Sequence, residues 1–336
     1  MDALARGLLH RRALMTTRPH DALFKAAFEA PAVAAALLRE LLPPAVCEGV
    51  VWETLSREAG SYVDSSLADR HSDLLFSARL RATEPGLVYL LLEHQSTDDP
   101  ALLQRVHSYQ SRIWDRYRKE RSKTRRSERL PPVIAVLVSH VPGGWTAARS
   151  FEELFDPEVM AIPGMAGLMP RFSLISLDLA LLSDDDLKAR TLGSFQKLAL
   201  WLLRDGRDPA CLLGNFETWR PLMIQAGRSR YGRDIIRALI EYMFRVIDPL
   251  YRDELRAKIR TLGRDTEEIV MTIAEQIHEE GRQEGRIATL RSLLLLKFQT
   301  LDAAAEARLQ AATPEAIDHY LQRVLFADSL AAVFAE

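Results

Sequence analysis

The chain has 336 residues, 48% of them apolar and 27% charged, with a formal net charge of −2. That composition describes an ordinary globular protein with length to spare for two or three domains, and the near-neutral balance means that any nucleic acid must meet a local patch. Cys47 and Cys211 stand far apart, without a CxxC or Cys/His cluster. Neither a zinc site nor a disulfide framework is expected, and a reducing cytoplasm fits best.

In chain order, residues 1–17 read as a flexible extension without a signal-peptide core, and Met15 is an alternative start. Residues 20–42 carry a helical pattern that Pro31 is expected to split in two and Pro43–Pro44 to end. Val50 to Leu55 is a first strand, followed by a polar stretch from Ser56 to Arg70. Two apolar runs come next, Leu74–Phe76 after Ser72–Asp73 and Leu87–Leu92 before Glu93–His94–Gln95. Arg81 to Gly86, with Pro85 and Gly86, is a turn signal between them.

A hairpin centred near Thr83 would set Asp73 opposite Glu93, with Gln95 on the same face as Glu93 because side chains alternate along a strand. Two carboxylates and an amide at one sheet end form a seat for a hard divalent cation, Mg2+ or Mn2+, which could activate water against a phosphodiester. A slip of one residue would separate the acids, and strand-end charges at a solvated edge are the plainer reading of the residues alone. His94, between Glu93 and Gln95, is expected on the opposite face.

Leu102 to Tyr117 shows apolar residues at helical spacing, and Val133 to Val138 reads as a strand buried on both faces. Residues 112–129 hold nine Lys and Arg against three acids, a candidate DNA-backbone patch or a solvated loop. From about residue 150 the chain is first mixed, with short strands or loops near 151–155 and 172–182. Ser183 is expected to cap a helix over 184–204. Further helices are expected near 215–226, 231–246, 251–262 and 265–298, with two more between 302 and 335. Gly281 and Gly285 in the long helix suggest close packing or a joint. No apolar run is long enough to span a membrane. His278–Glu279–Glu280 is not HExxH, no Gly-rich nucleotide loop occurs, and Ser139–His140 lacks a nucleophile elbow.

Several motifs stand in order: His20–Asp21–Ala22–Leu23–Phe24–Lys25, Asp64 with His71 to Phe76, Tyr89 to Ser96, and Arg105 to Tyr109 with Ile113–Trp114. Together they resemble the recombination-promoting nuclease family, also called the putative transposase family, of the PD-(D/E)xK nuclease superfamily. The resemblance spans roughly residues 18–240, and a looser one covers the helical tail, where Gln299 stands in the place of a usual glycine. It implies an α/β fold: a restriction-endonuclease-like core with a central mixed sheet flanked by helices, then a mostly α-helical C-terminal half. The expected domains are the core at 18–150, its mixed then helical extension at 151–250 and a helical domain at 251–336.

By the same resemblance Asp73 and Glu93 are metal ligands, and Gln95 takes the place of the superfamily lysine. Asp21 completes the catalytic set, while Arg105, Tyr109 and Lys25 contact the substrate. The implied function is a Mg2+-dependent endonuclease acting on double-stranded DNA, linked to recombination or mobile elements. Ser72 replaces the superfamily proline, and Gln95 removes a positive charge beside the scissile phosphate. Two rivals remain: a non-catalytic DNA-binding or transposition accessory protein, and a helical protein-interaction module on a nuclease scaffold. In the tail, Leu293 to Leu296 is plainer as core and sharper as a homo-oligomer face.

Overall fold

The structure, a computed structural model, describes residues 18–58, 74–81, 86–121, 129–263 and 265–335. Asp73, Asp64 and His71, and most of the basic run beyond Arg121, lie outside the described residues. The chain divides into two compact units, Met1–Gly263 and Arg264–Glu336.

In the first unit, helices α1 (Pro19–Phe28) and α2 (Pro31–Leu41) are parted at Pro31, as its missing N–H and fixed φ dictate. A short helix α3 (Pro44–Gly49), absent from the sequence reading, follows with Pro44 at its first position. Strands β1 (Val50–Arg57), β2 (Leu74–Leu80) and β3 (Gly86–Gln95) then form an antiparallel meander. Helix α4 (Leu102–Arg121) crosses to β4 (Val133–Ser139), which lies parallel to β3. A short α5 (Pro157–Met160) precedes β5 (Ile175–Asp178), parallel to β4. Among the described residues the sheet is mixed and five-stranded in the order β1-β2-β3-β4-β5, so β3 is central.

The expected hairpin has the expected register. Leu74 pairs with Leu92, Ser77 with Tyr89 and Leu80 with Gly86, all symmetric about position 83. Because β2 and β3 are buried on both faces, their register is held by the fit of individual side chains and not by apolar–polar alternation. One face of the sheet buries Tyr89, Leu91, Ala135 and Leu137 against Leu102, Val106, Tyr109 and Ile113 of α4. The apolar positions of α4 recur at three and four, which forms the stripe that lies on the sheet. On the opposite face Phe24 of α1 stacks on His94 of β3, α2 packs against β1 and β5, and α1 in turn packs against two later helices, α7 (Ser194–Asp205) and α9 (Gly232–Val246).

The single helix expected over 184–204 is instead two, α6 (Asp184–Ala189) and α7, parted at residues 190–193. The reason is tertiary. Glu40 on α2 accepts from Arg190 Nη1 at 2.9 Å, Thr191 N at 2.6 Å and the Thr191 hydroxyl at 2.5 Å. Those bonds hold the backbone out of helix, whereas Ser183 caps α6 as expected. Helix α8 (Pro209–Gly227) starts earlier than expected because the Asp208 carboxylate accepts from Ala210 N and Cys211 N, with Pro209 at the first position. Helix α10 (Arg252–Arg260) closes this unit, so residues 251–263 fold with it.

The second unit consists of α11 (Asp265–Phe298), α12 (Ala303–Ala311), α13 (Pro314–Arg323) and a one-turn α14 (Leu330–Val333). Its core includes Leu290, Leu294, Leu309, Ile317 and Val333. Helix α11 runs unbroken through Gly281 and Gly285, and no described atom lies within 4 Å of where a Cβ would stand on either. Among the described residues, therefore, neither glycine is closely packed, and the helix does not break at either. Gln299, just past α11, adopts φ 65°, the left-handed conformation that a glycine takes without strain. Among the described residues no helix is long and apolar enough to cross a membrane.

Candidate active site

Parallel strands leave their carboxyl ends open to one edge of the sheet, and β3 delivers Glu93 and Gln95 there beside Leu137 and Ser139 of β4. Glu93 is fully buried and Gln95 is 8% exposed. Both belong to the face covered by α4, the same alternation that buries Tyr89 and Leu91. The Gln95 amide donates to Glu93 Oε2 over a long 3.5 Å, and Arg105 Nη2 lies 3.7 Å from the same oxygen.

Arg105 is held from the start of α4. Its Nη1 donates to Asp99 Oδ2, and Asp99 Oδ1 also accepts from Ala101 N at 2.9 Å. Burial works to lower the pKa of this guanidinium, but Glu93 and then Asp99 outweigh it and the net shift is upward. The side chain therefore stays cationic across the physiological range. Its Nε is buried and makes no hydrogen bond to any described residue. Tyr109, one turn further along α4, is buried on the same side and acts electrostatically on Arg105. Asp99 escaped the sequence reading because a Ser-Thr-Asp-Asp-Pro turn looks like an ordinary helix start.

Asp21 and Lys25 are not gathered here. Asp21 Oδ1 lies 3.4 Å from His94 Nδ1, and His94 projects from the opposite face of β3, as alternation requires. Lys25 shares the Asp21 side of α1, one turn on, and is half-buried. Asp73 lies outside the described residues. Among the described residues no group of three His, Cys, Asp or Glu is placed to hold a metal ion.

Behind Glu93, on that opposite face, is a ring cluster that the sequence did not reveal. His94 stacks on Phe24 with centroids 4.6 Å apart and on His140 at 4.9 Å, while His20 lies 4.9 Å from His140. His20 Nδ1 is 2.8 Å from the Tyr242 hydroxyl, which donates to Leu202 O at 3.2 Å. Burial, then Arg207 and His94, lower the His20 pKa to about 4 against the opposing pull of Asp21. Burial and then His94, His20 and Arg207 likewise push His140 well below its ordinary value. A histidine depressed in the folded state adds stability above its unfolded pKa of about 6.5, and this is lost as pH falls toward the folded value. The urea midpoint should therefore drop between pH 6.5 and 5, where most carboxylates are still ionised, and less steeply in His20→Gln. Equal slopes in the two proteins would show that His20 does not carry the effect.

Comparison with known proteins places the chain in a family. The family model described as putative transposase, YhgA-like, matches residues 18–210, more than half of the chain. The chain belongs to that family. The resemblance drawn from the motifs is thereby borne out at family level. Recombination-promoting nuclease RpnA of Escherichia coli K12 is 26% identical over 270 residues, covering 80% of this chain and 86% of that protein. RpnD of Escherichia coli O157:H7 is 28% identical over 270 residues, covering 79% and 96%. A protein named as an inactive recombination-promoting nuclease-like protein, RpnE of Escherichia coli K12, is 25% identical over 275 residues, covering 80% and 85%. No solved structure matches the chain.

Proposed function

We propose that this YhgA-like family member is a metal-dependent DNA endonuclease using PD-(D/E)xK chemistry. The supporting observation is a fully buried carboxylate, Glu93, set with Gln95 beside the Arg105 guanidinium at the carboxyl end of the central strand. Relatives similar over four-fifths of the chain carry the name nuclease.

Asp73 and Glu93 would hold Mg2+ or Mn2+, hard ions that take oxygen ligands. The donor set suits such an ion once Asp73 is added to Glu93, and the Gln95 amide oxygen offers a third ligand or a water contact. When bound, the ion supplies Lewis-acid charge for the scissile phosphate and makes its water more acidic. Gln95 cannot exchange a proton near neutral pH, so its task is to orient the attacking water by hydrogen bonding. Arg105, permanently charged and with Nε making no hydrogen bond among the described residues, donates to a phosphate oxygen of the DNA. Tyr109 and Lys25 are further substrate contacts, and Asp21 bears on the site from the other face through His94.

A second reading, a DNA-binding accessory protein that has lost cleavage, is favoured by Gln95 in the lysine position and by the relative named inactive. Nicking of supercoiled plasmid with Mg2+, Mn2+, Ca2+ or EDTA, for wild type and Asp73→Ala, separates the two. Metal-dependent nicking that disappears in Asp73→Ala supports the endonuclease. Salt-sensitive binding with no nicking in any metal moves the assignment to the accessory protein. An absence of both rejects each of them.

A further inference from the structure

The turn from α7 into α8, Asp205–Gly206–Arg207–Asp208, lies in the helical layer, far along the chain from the strands it reaches. Its position is fixed by close packing, since a Cβ at Gly206 would stand 2.9 Å from Cε1 of the fully buried Tyr242 ring. From this turn Arg207 Nη2 donates to His140 O at 2.9 Å and to Ser96 O at 3.1 Å. It also lies 3.5 Å from His140 Nδ1.

Those two carbonyls are the first beyond the last rung of the β3–β4 ladder, Gln95 opposite Ser139. The same corner is tied by His140 N donating to Gln95 O at 3.0 Å. A strand end without a next rung frays, and here that end carries Gln95 as its last residue and Glu93 two positions before. Arg207 supplies the missing closure with a charge-assisted pair of bonds from a half-buried guanidinium.

We propose that Arg207 is a positioning residue for the Glu93–Gln95 strand end: by gripping the Ser96 and His140 carbonyls it sets where β3 presents both side chains. The proposal rests on the endonuclease reading for its catalytic consequence. Catalytic groups must be held to within about 0.5 Å, and misplacement by 1 Å can cost on the order of a hundredfold in rate. Arg207 itself touches neither Glu93 nor substrate, so its removal should lower turnover and spare DNA affinity.

Two readouts test this on the full chain with Arg207→Ala and Arg207→Lys. In Arg207→Ala, hydrogen exchange should accelerate in peptides covering 91–97 and 137–142 while the rest of the first unit keeps its protection. Cleavage turnover should fall at least about tenfold, with KM for DNA within about twofold. Arg207→Lys should recover part of the loss, as should added guanidinium ion with Arg207→Ala at concentrations too low to unfold it. Unchanged exchange at the strand ends, or acceleration across the whole unit, overturns the clamp. Accelerated exchange with full turnover overturns its catalytic part. A wild type that cleaves nothing removes the endonuclease reading and the catalytic part together, and the exchange result still decides whether the clamp exists.

Discussion

Glu93→Gln should reduce metal-dependent plasmid nicking by roughly a thousandfold, equivalent to about 4 kcal/mol of transition-state stabilisation. The substitution exchanges one oxygen for an amide nitrogen and keeps the shape of a side chain that is completely enclosed. What it removes is the negative charge at the end of β3. A neutral amide is a poor ligand for a hard divalent ion, and it points donors toward the Arg105 guanidinium 3.7 Å away. Stripping a buried ion of its partner ordinarily costs about 3–5 kcal/mol of stability, but Arg105 keeps its hydrogen bond to Asp99. The loss on unfolding should therefore be smaller, about 1–2 kcal/mol, and the protein should remain folded at ambient temperature. Single-turnover nicking with a parallel urea titration reads both quantities. Cleavage within about tenfold of wild type would remove Glu93 from the reaction.

Phe24→Ala should cost about 3–5 kcal/mol of stability. Phe24 has no solvent exposure, packs on Phe28 at 5.1 Å and lies almost parallel to the His94 ring, 15° off. Its removal opens a cavity directly behind the strand end that carries Glu93. Interiors packed to crystal density collapse only in part around such a gap, so the cost includes both lost transfer and the residual void. Urea denaturation gives the value. A loss below about 1.5 kcal/mol would mean that α1 readjusts and that the stack on His94 is not what seats this helix.

Local chemistry made much of the fold legible. Alternating and continuous apolar runs, with Pro85–Gly86 between them, pointed to the β2–β3 hairpin, and the register assumed for it, centred near Thr83, is the one observed, with Leu74 opposite Leu92. Pro31, Ser183 and Pro209 act on their own backbones, which is why helix breaks and starts near them could be anticipated or explained at once. The failures share a cause of the opposite kind. The break at 190–193 is made by Glu40, 150 residues away, and nothing near Arg190 in the sequence announces it.

The site divides in the same way. Glu93 and Gln95 share a face because of the period-two pleat, and Arg105 and Tyr109 share one because they are one helical turn apart. Which face of the sheet α1 would cover depends on chain topology and not on local pattern. Asp21 accordingly lies beside His94, which projects from the face opposite Glu93. Arg207 reaches Ser96 across 111 residues, so its bonds could be found only in three dimensions.

The order of strands also bears on how this molecule assembles. The β2–β3 hairpin closes a short loop, its outermost described pair being Leu74 with Leu92 and its innermost Leu80 with Gly86. Pairing Tyr89 with Val133 in the parallel half must close a far longer segment that contains all of α4. Loop-closure entropy rises with the logarithm of length, and parallel pairing earns no contacts until that cost is met. The strand that presents Glu93 can thus find its antiparallel neighbour early and locally, well before β4 arrives to enclose it. Through that interval β3 has an unpaired edge lined with leucines, and the crossing of α4 is the event that ends its exposure to other chains.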